Sequence, residues 1–310
     1  MHQVRHLVLS GILAGGTVAG CHHAKPSPEP TAAAAAIPST DVYLLRLGRG
    51  VLPFSRRLVN ITNRRGYDNQ PSFDGSAIFY TSVRGGQADI YRFENGRHVP
   101  VTSTPESEYS AALSPDARSI TVVRVERDST QRLWRFPTDG SAPSLVLRDV
   151  KPVGYFAWLD SVTLALFVLG NPNTLQIADT RTGVARVVTS NIGRSLQRVP
   201  GGRRASFVQR DGATWILKTV DPTPRADGGW DVETIAALPD SAEHIAWKSA
   251  DELYTAAGSR IYHLRLPGHS WETVADLSRA GVKHITRLAL HPNGRELAIV
   301  ADDAGSASSP

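Results

Sequence analysis

Apolar and polar residues alternate in short bursts along this chain, and the bursts come in sets. In the clearest set, Ser72 and Phe73 lead into an Asp74-Gly75 turn. An apolar run follows at residues 77–82, then a Gly85-Gly86 pair, then further alternating runs at 88–93 and 98–102. Period-two runs bounded by Gly and Asp turns predict strands joined by hairpins, so one set amounts to four short strands.

The set recurs about every 41 to 48 residues, the period of one four-stranded propeller blade. A second copy carries Ser114-Pro115-Asp116, then runs at 119–123, 132–136 and 145–147. Weaker copies cover residues 157–188, 199–235 and 245–274. The last copy, 288–300, lacks its third and fourth strands, and the missing pair stands at the other end of the chain. Residues 41–47, beginning Asp41-Val42-Tyr43, match a third strand, and residues 56–62 match a fourth. An open ring would leave two bare sheet edges, which closure removes. The expected fold is all-β: a six-bladed β-propeller of four-stranded blades over residues 41–303, with the last blade closed by N-terminal strands and a disordered tail at 304–310. Trp134, Trp158, Trp215 and Trp247 lie inside repeat strands at matching positions and read as blade-packing residues. Trp230 and Trp271 stand near fourth strands at the outer edge. The Asn60-Ile61-Thr62 sequon reads as coincidence.

Ahead of the repeats, Arg5 precedes an uncharged apolar stretch at 7–18 that ends in Val18-Ala19-Gly20-Cys21. A basic start and a short apolar segment form a secretory signal, too short to span a bilayer. Residues 18–21 resemble the lipobox of bacterial lipoproteins. That resemblance implies a signal peptide at 1–20, cleavage before Cys21 and acylation of its thiol. Residues 21–40, rich in Pro and Ala, then form a tether that holds the domain off the membrane. With His22 where an inner-membrane signal would have aspartate, the lipoprotein sorting rule favours the outer membrane, with the domain in the periplasm or at the cell surface.

The first copy, with Ser72-Phe73-Asp74-Gly75, Thr81-Ser82 and Asp89-Ile90-Tyr91, resembles the WD40-like repeat of TolB-type propellers. It lacks the Ser-Pro that this repeat places before the Asp, which implies a tighter first turn. TolB itself has an additional N-terminal domain where this chain has a tether. The resemblance implies a non-enzymatic scaffold that docks an envelope protein, or an accessory subunit of a membrane complex.

Composition adds little. The net charge of +5 comes mostly from arginines spread along the repeats, and without a dense basic run no nucleic-acid partner is expected. Nucleophile-elbow, zinc-protease, phosphate-loop and calcium-loop signatures are missing from the sequence, and neither a cofactor, a metal site nor a small-molecule ligand is identified. Loops from each fourth strand to the next first strand crowd one mouth of a propeller channel. This chain places Arg64, Arg65, Tyr67, Asp68, Glu106, Glu108, Tyr109, Tyr155, Arg194, Arg198, His244 and His284 there. Tyr and Arg are the types that dominate interface hot spots, so these residues are the candidate partner-binding surface. The alternative is a propeller lyase or hydrolase acting on extracellular glycans or lactones, which needs acids, bases or metal ligands converging at the same mouth.

Overall fold

The computed structural model describes residues 38–48, 58–138, 141–240, 242–268 and 270–302. Cys21, the signal segment, most of the tether, His269 and the tail lie outside the described residues. The rest forms six four-stranded antiparallel sheets. Blade one spans residues 68–100, blade two 107–145, blade three 153–190, blade four 192–237 and blade five 245–276. Their innermost strands are Asp68–Asp74, Ser107–Leu113, Val153–Trp158, Ile192–Arg198 and Ile245–Trp247.

Blade six joins the two ends of the chain. Its order from the outside is Leu58–Asn60, Thr40–Arg46, Glu296–Asp302 and Ile285–Leu290, with Thr40 opposite Asp302 and Arg46 opposite Glu296. The expected closure is therefore present. A local lock explains why the N-terminal strands fit this role. Thr62 Oγ1 donates to Asp41 Oδ1 at 2.9 Å and accepts from the Val42 N–H at 3.0 Å. Blade one repeats the lock, with Thr102 Oγ1 accepting from the Ile90 N–H at 2.9 Å beside Asp89. Asn60 donates to Asp41 Oδ2 at 2.8 Å, so the sequon side chain is part of the lock.

The core is a ring of apolar clusters, one between each pair of neighbouring blades. Second-strand residues alternate sides, as the pleat requires. Ile78 and Tyr80 pack against Val42, Ala298 and Val300 of blade six, while Phe79 packs against Ala111, Ile120 and Val122 of blade two. Tyr43 and Leu45 face the other way and join Tyr254, Ile261, Leu297 and Ile299 between blades five and six. The first hairpin is tight as expected: Asp74 sits opposite Ala77, leaving only Gly75 and Ser76 for the turn, and Gly75 takes a φ of +55°.

The tryptophans of the repeat strands occupy two positions and pack between blades. Trp134 and Trp215 lie on third strands, while Trp158 and Trp247 end innermost strands. The latter two staple blades together: Trp158 Nε1 donates to Thr121 Oγ1 of blade two at 3.1 Å, and Trp247 Nε1 to Ser206 Oγ of blade four at 2.8 Å. Half-buried Trp230 and Trp271 do likewise at the rim, donating to the backbone oxygens of Val187 and Ala237.

Candidate functional site

Irregularities in the innermost strands build the site. Pairing with the second strand shifts register between Asn69 and Ser72, Tyr109 and Ala112, Val153 and Tyr155, Ile192 and Leu196, and Ile285 and Arg287. Bulges of this kind re-aim side chains. In blade five the innermost strand is only Ile245–Trp247, and His244 directly precedes it. The result is one residue from each blade around the channel: Gln70, Ser110, Tyr155, Arg194, His244 and Arg287, lining a cavity of about 430 Å³. Gln70 and Ser110 take left-handed φ values of 57° and 55°, and Gln70 Oε1 accepts from Thr81 Oγ1 at 2.8 Å and the Ser110 N–H at 2.9 Å. That bond stitches two blades at the ring.

Arg194 is held by a carboxylate of the next blade. Glu243 accepts from Arg194 Nε at 3.1 Å, Nη2 at 2.6 Å and the backbone N–H at 2.7 Å. Burial pushes the Glu243 carboxyl up, but the Arg194 hydrogen bonds and the charges beside it hold it down at about 2, so the pair is ionic. Gly193 makes the approach possible, since a Cβ there would lie 2.6 Å from Val208 Cγ2 and 2.9 Å from Glu243 Oε1.

Arg287 is different. It belongs to blade six and reaches blade three, the opposite side of a six-membered ring, where its Nη2 donates to the Tyr155 hydroxyl at 2.7 Å. Its guanidinium lies 4.9 Å from the Tyr155 ring centroid, and Phe167 backs that ring edge-on at 5.5 Å. The contact forms a bar across the channel. His244 stands nearby: burial, reinforced by the charges of Arg287 and Arg194, pushes its imidazole well below the ordinary value, and its buried Nε2 has no hydrogen-bond partner. Half-buried Tyr67 completes the mouth. Burial pushes its phenol up, further than Arg287 and Arg194 pull it down, and the hydroxyls of Tyr155 and Tyr109 add to the rise. Tyr67 thus keeps its proton as a donor.

Six of the twelve expected mouth residues are elsewhere or otherwise engaged. Arg64 and Asp68 pair at 2.7 Å, and Arg64 also bonds Ser82 Oγ and the Val83 oxygen, so this pair braces the loop. Arg124 ties Glu106 and contacts Glu108 Oε1 at 3.3 Å; Glu108 has no exposure and is unavailable to a partner. Arg198 ends its strand opposite Ala205 and donates to the Gly202 oxygen at 2.6 Å; it lines the same cavity as Arg194, four residues further along the strand. His284 points outward and sits 3.7 Å from Asp302. Tyr67, Tyr109, Tyr155, Arg194 and His244 do come together, and Arg65, the second residue before Tyr67, is exposed. Sequence reasoning missed Arg287, Gln70 and Ser110. Aligning the bulge positions of the repeats, Tyr155 with Arg287, was the available signal. Among the described residues no group of three His, Cys, Asp or Glu is placed to hold a metal ion.

The fold and channel define a class: a six-bladed β-propeller with a polar, arginine- and tyrosine-lined mouth. No family model and no curated protein matches the sequence. Solved structures place the fold as TolB-like. A protein from Agrobacterium tumefaciens assigned as TolB superposes with a TM-score of 0.64 at 15% identity, covering 86% of this chain and 98% of that one. An oligogalacturonate lyase in complex with manganese gives 0.55 at 12% identity, covering 84% and 82%. A puromycin-hydrolysing peptidase from Mycobacterium tuberculosis gives 0.52 at 16% identity, covering 76% of this chain and 43% of the peptidase. Identities this low establish shared architecture and nothing finer.

Proposed function

We propose that this chain is a non-enzymatic docking module of the bacterial envelope, lipid-anchored at Cys21 at the outer membrane, whose channel mouth receives a protein partner. The observation that carries the reading is the convergence of Tyr67, Tyr109, Tyr155, Arg194 and Arg287 at one mouth. These donors and aromatic faces are the chemistry of recognition, and hot spots are enriched in both types. Fold likeness to a TolB protein supports an interaction role; likeness to a lyase and a peptidase keeps the enzyme alternative, on glycans or lactones, at the level of fold.

The test is capture of the co-purifying protein from mildly solubilised membranes. Loss of a buried hot spot costs about 2 kcal/mol or more, roughly a thirtyfold weakening. Tyr67→Ala is expected to weaken capture by that order with little change in melting temperature, Tyr109→Ala to weaken it with some loss of stability because Tyr109 also packs against the cluster between blades two and three, and charge reversal at Arg65 to change its salt dependence. Unchanged recovery across all three variants moves the interface away from this mouth.

A further inference from the structure

We infer that the Arg287–Tyr155 bar is a carboxylate receptor, and that the group docked at this mouth is an acidic side chain or chain terminus on an extended peptide segment of the partner. The inference rests on the docking role proposed above and names its chemistry.

The two ring arginines are the starting point. Arg194 is neutralised by bidentate contact with Glu243. Arg287 takes part in none of the ion pairs among the described residues, and its one side-chain hydrogen bond goes to a neutral phenol. A guanidinium carries five N–H donors in a planar fork, so most of its hydrogen-bonding capacity faces the cavity unspent. A cation drawn out of bulk water without a counter-ion is costly, and an incoming anion offsets that cost.

Charge counting then selects the anion. Arg194 and Glu243 cancel and His244 is neutral; Arg198, at the other end of the cavity, is turned to the Gly202 oxygen, so the uncompensated charge at the ring itself is that of Arg287. One uncompensated charge matches a monoanion better than a dianionic phosphate. The planar fork matches a carboxylate in bidentate geometry. His244 lines the same cavity, and its buried Nε2 has no partner in the structure. The cavity volume, about 430 Å³, lies in the range of small-ligand sites and admits one side chain or terminus.

The probes are acetyl-Gly-Gly-Glu-Gly-Gly-amide, its Gln counterpart, sodium acetate and inorganic phosphate, titrated calorimetrically into the full chain. The Glu peptide is expected to bind at least tenfold more tightly than the Gln peptide and more tightly than acetate. Arg287→Gln should abolish the difference without lowering the melting temperature, and Arg287→Lys should retain part of it, since the charge survives but the fork does not. Equal binding of Glu and Gln peptides, or full binding by Arg287→Gln, overturns the receptor. Phosphate binding as tightly as the Glu peptide overturns the carboxylate assignment, and acetate binding as tightly overturns the peptide source. If capture of the natural partner is lost on Tyr67→Ala while no carboxylate probe binds, the receptor is wrong and the docking role stands.

Discussion

Replacing Glu108 with glutamine should make the protein more stable, by an amount that grows as pH rises from about 4.5 toward 7. Glu108 Oε1 accepts a hydrogen bond from Thr104 at 2.5 Å, but Oε2 has no partner, and Arg124 gives its hydrogen bond to Glu106 instead. Burial therefore outweighs the hydrogen bonds and the Arg124 charge, and pushes the carboxyl up from 4.5 to about 7. An acid held above its unfolded value binds its proton more tightly when folded. The stability it contributes is fully present below 4.5 and is lost as pH rises through about 7. At about 1.4 kcal/mol per tenfold in proton affinity, the loss at pH 8 is on the order of 3 kcal/mol. Burial also lowers His98 and His244, which gain stability as pH rises toward 6.5, so the wild-type curve alone mixes opposing slopes. The difference between wild type and Glu108→Gln isolates one group. Calorimetric melting at pH 5, 6.5 and 8 should show the variant close to wild type at pH 5 and several degrees above it at pH 8, at roughly 2–4 °C per kcal/mol. A gap that stays constant with pH, or a variant that falls below wild type at pH 8, would mean that Glu108 is ionised and paired with Arg124, and would refute the reasoning.

Deleting residues through Thr62 strips Val42, Tyr43, Leu45 and Ile61 from two of the interblade clusters. At about 1.5–3 kcal/mol per buried side chain this rivals a whole domain's stability; aggregation in size-exclusion chromatography is expected, whereas removing residues 22–38 should leave cooperative unfolding intact. Gly193→Ala places a Cβ against Val208 and Glu243, and overpacking of about 1–3 kcal/mol should appear as a lower denaturant midpoint; an unchanged midpoint would show that the Glu243 approach is slack. Cys21→Ser should release the protein from the membrane fraction, and a variant that still pellets would count against lipid anchoring.

The blades were legible because their information is local. Alternation and Asp-Gly turns act within one repeat, so even the split blade could be assembled from its two ends. The ring was less legible because its geometry depends on exceptions to alternation. A bulge at Gln70 or Ser110 changes which residue faces the channel, and neither residue advertises a left-handed φ as glycine would. Arg198 was grouped with Arg194 by proximity in sequence, although the strand they share carries it further along the channel, to the end away from Arg194. Arg64 and Asp68 read as free loop charges because Ser82 and Val83, which complete their network, lie on the second strand of the hairpin, directly across from Asp68 but 14 and 15 residues further along the chain.

The first described strand starts with the Thr40 N–H donating to the Gly66 oxygen at 2.9 Å, and Thr40 bridges Tyr67 in parallel. The chain therefore enters the propeller at the face that holds the tyrosine and arginine cluster, rather than at the far mouth or the rim. With Cys21 acylated as proposed, any pull along the leading segment turns that face toward the lipid surface. A partner free in solution would have to slip beneath the domain to reach the ring, whereas one rooted in the same membrane, offering a strand that projects from the bilayer, meets the opening head-on.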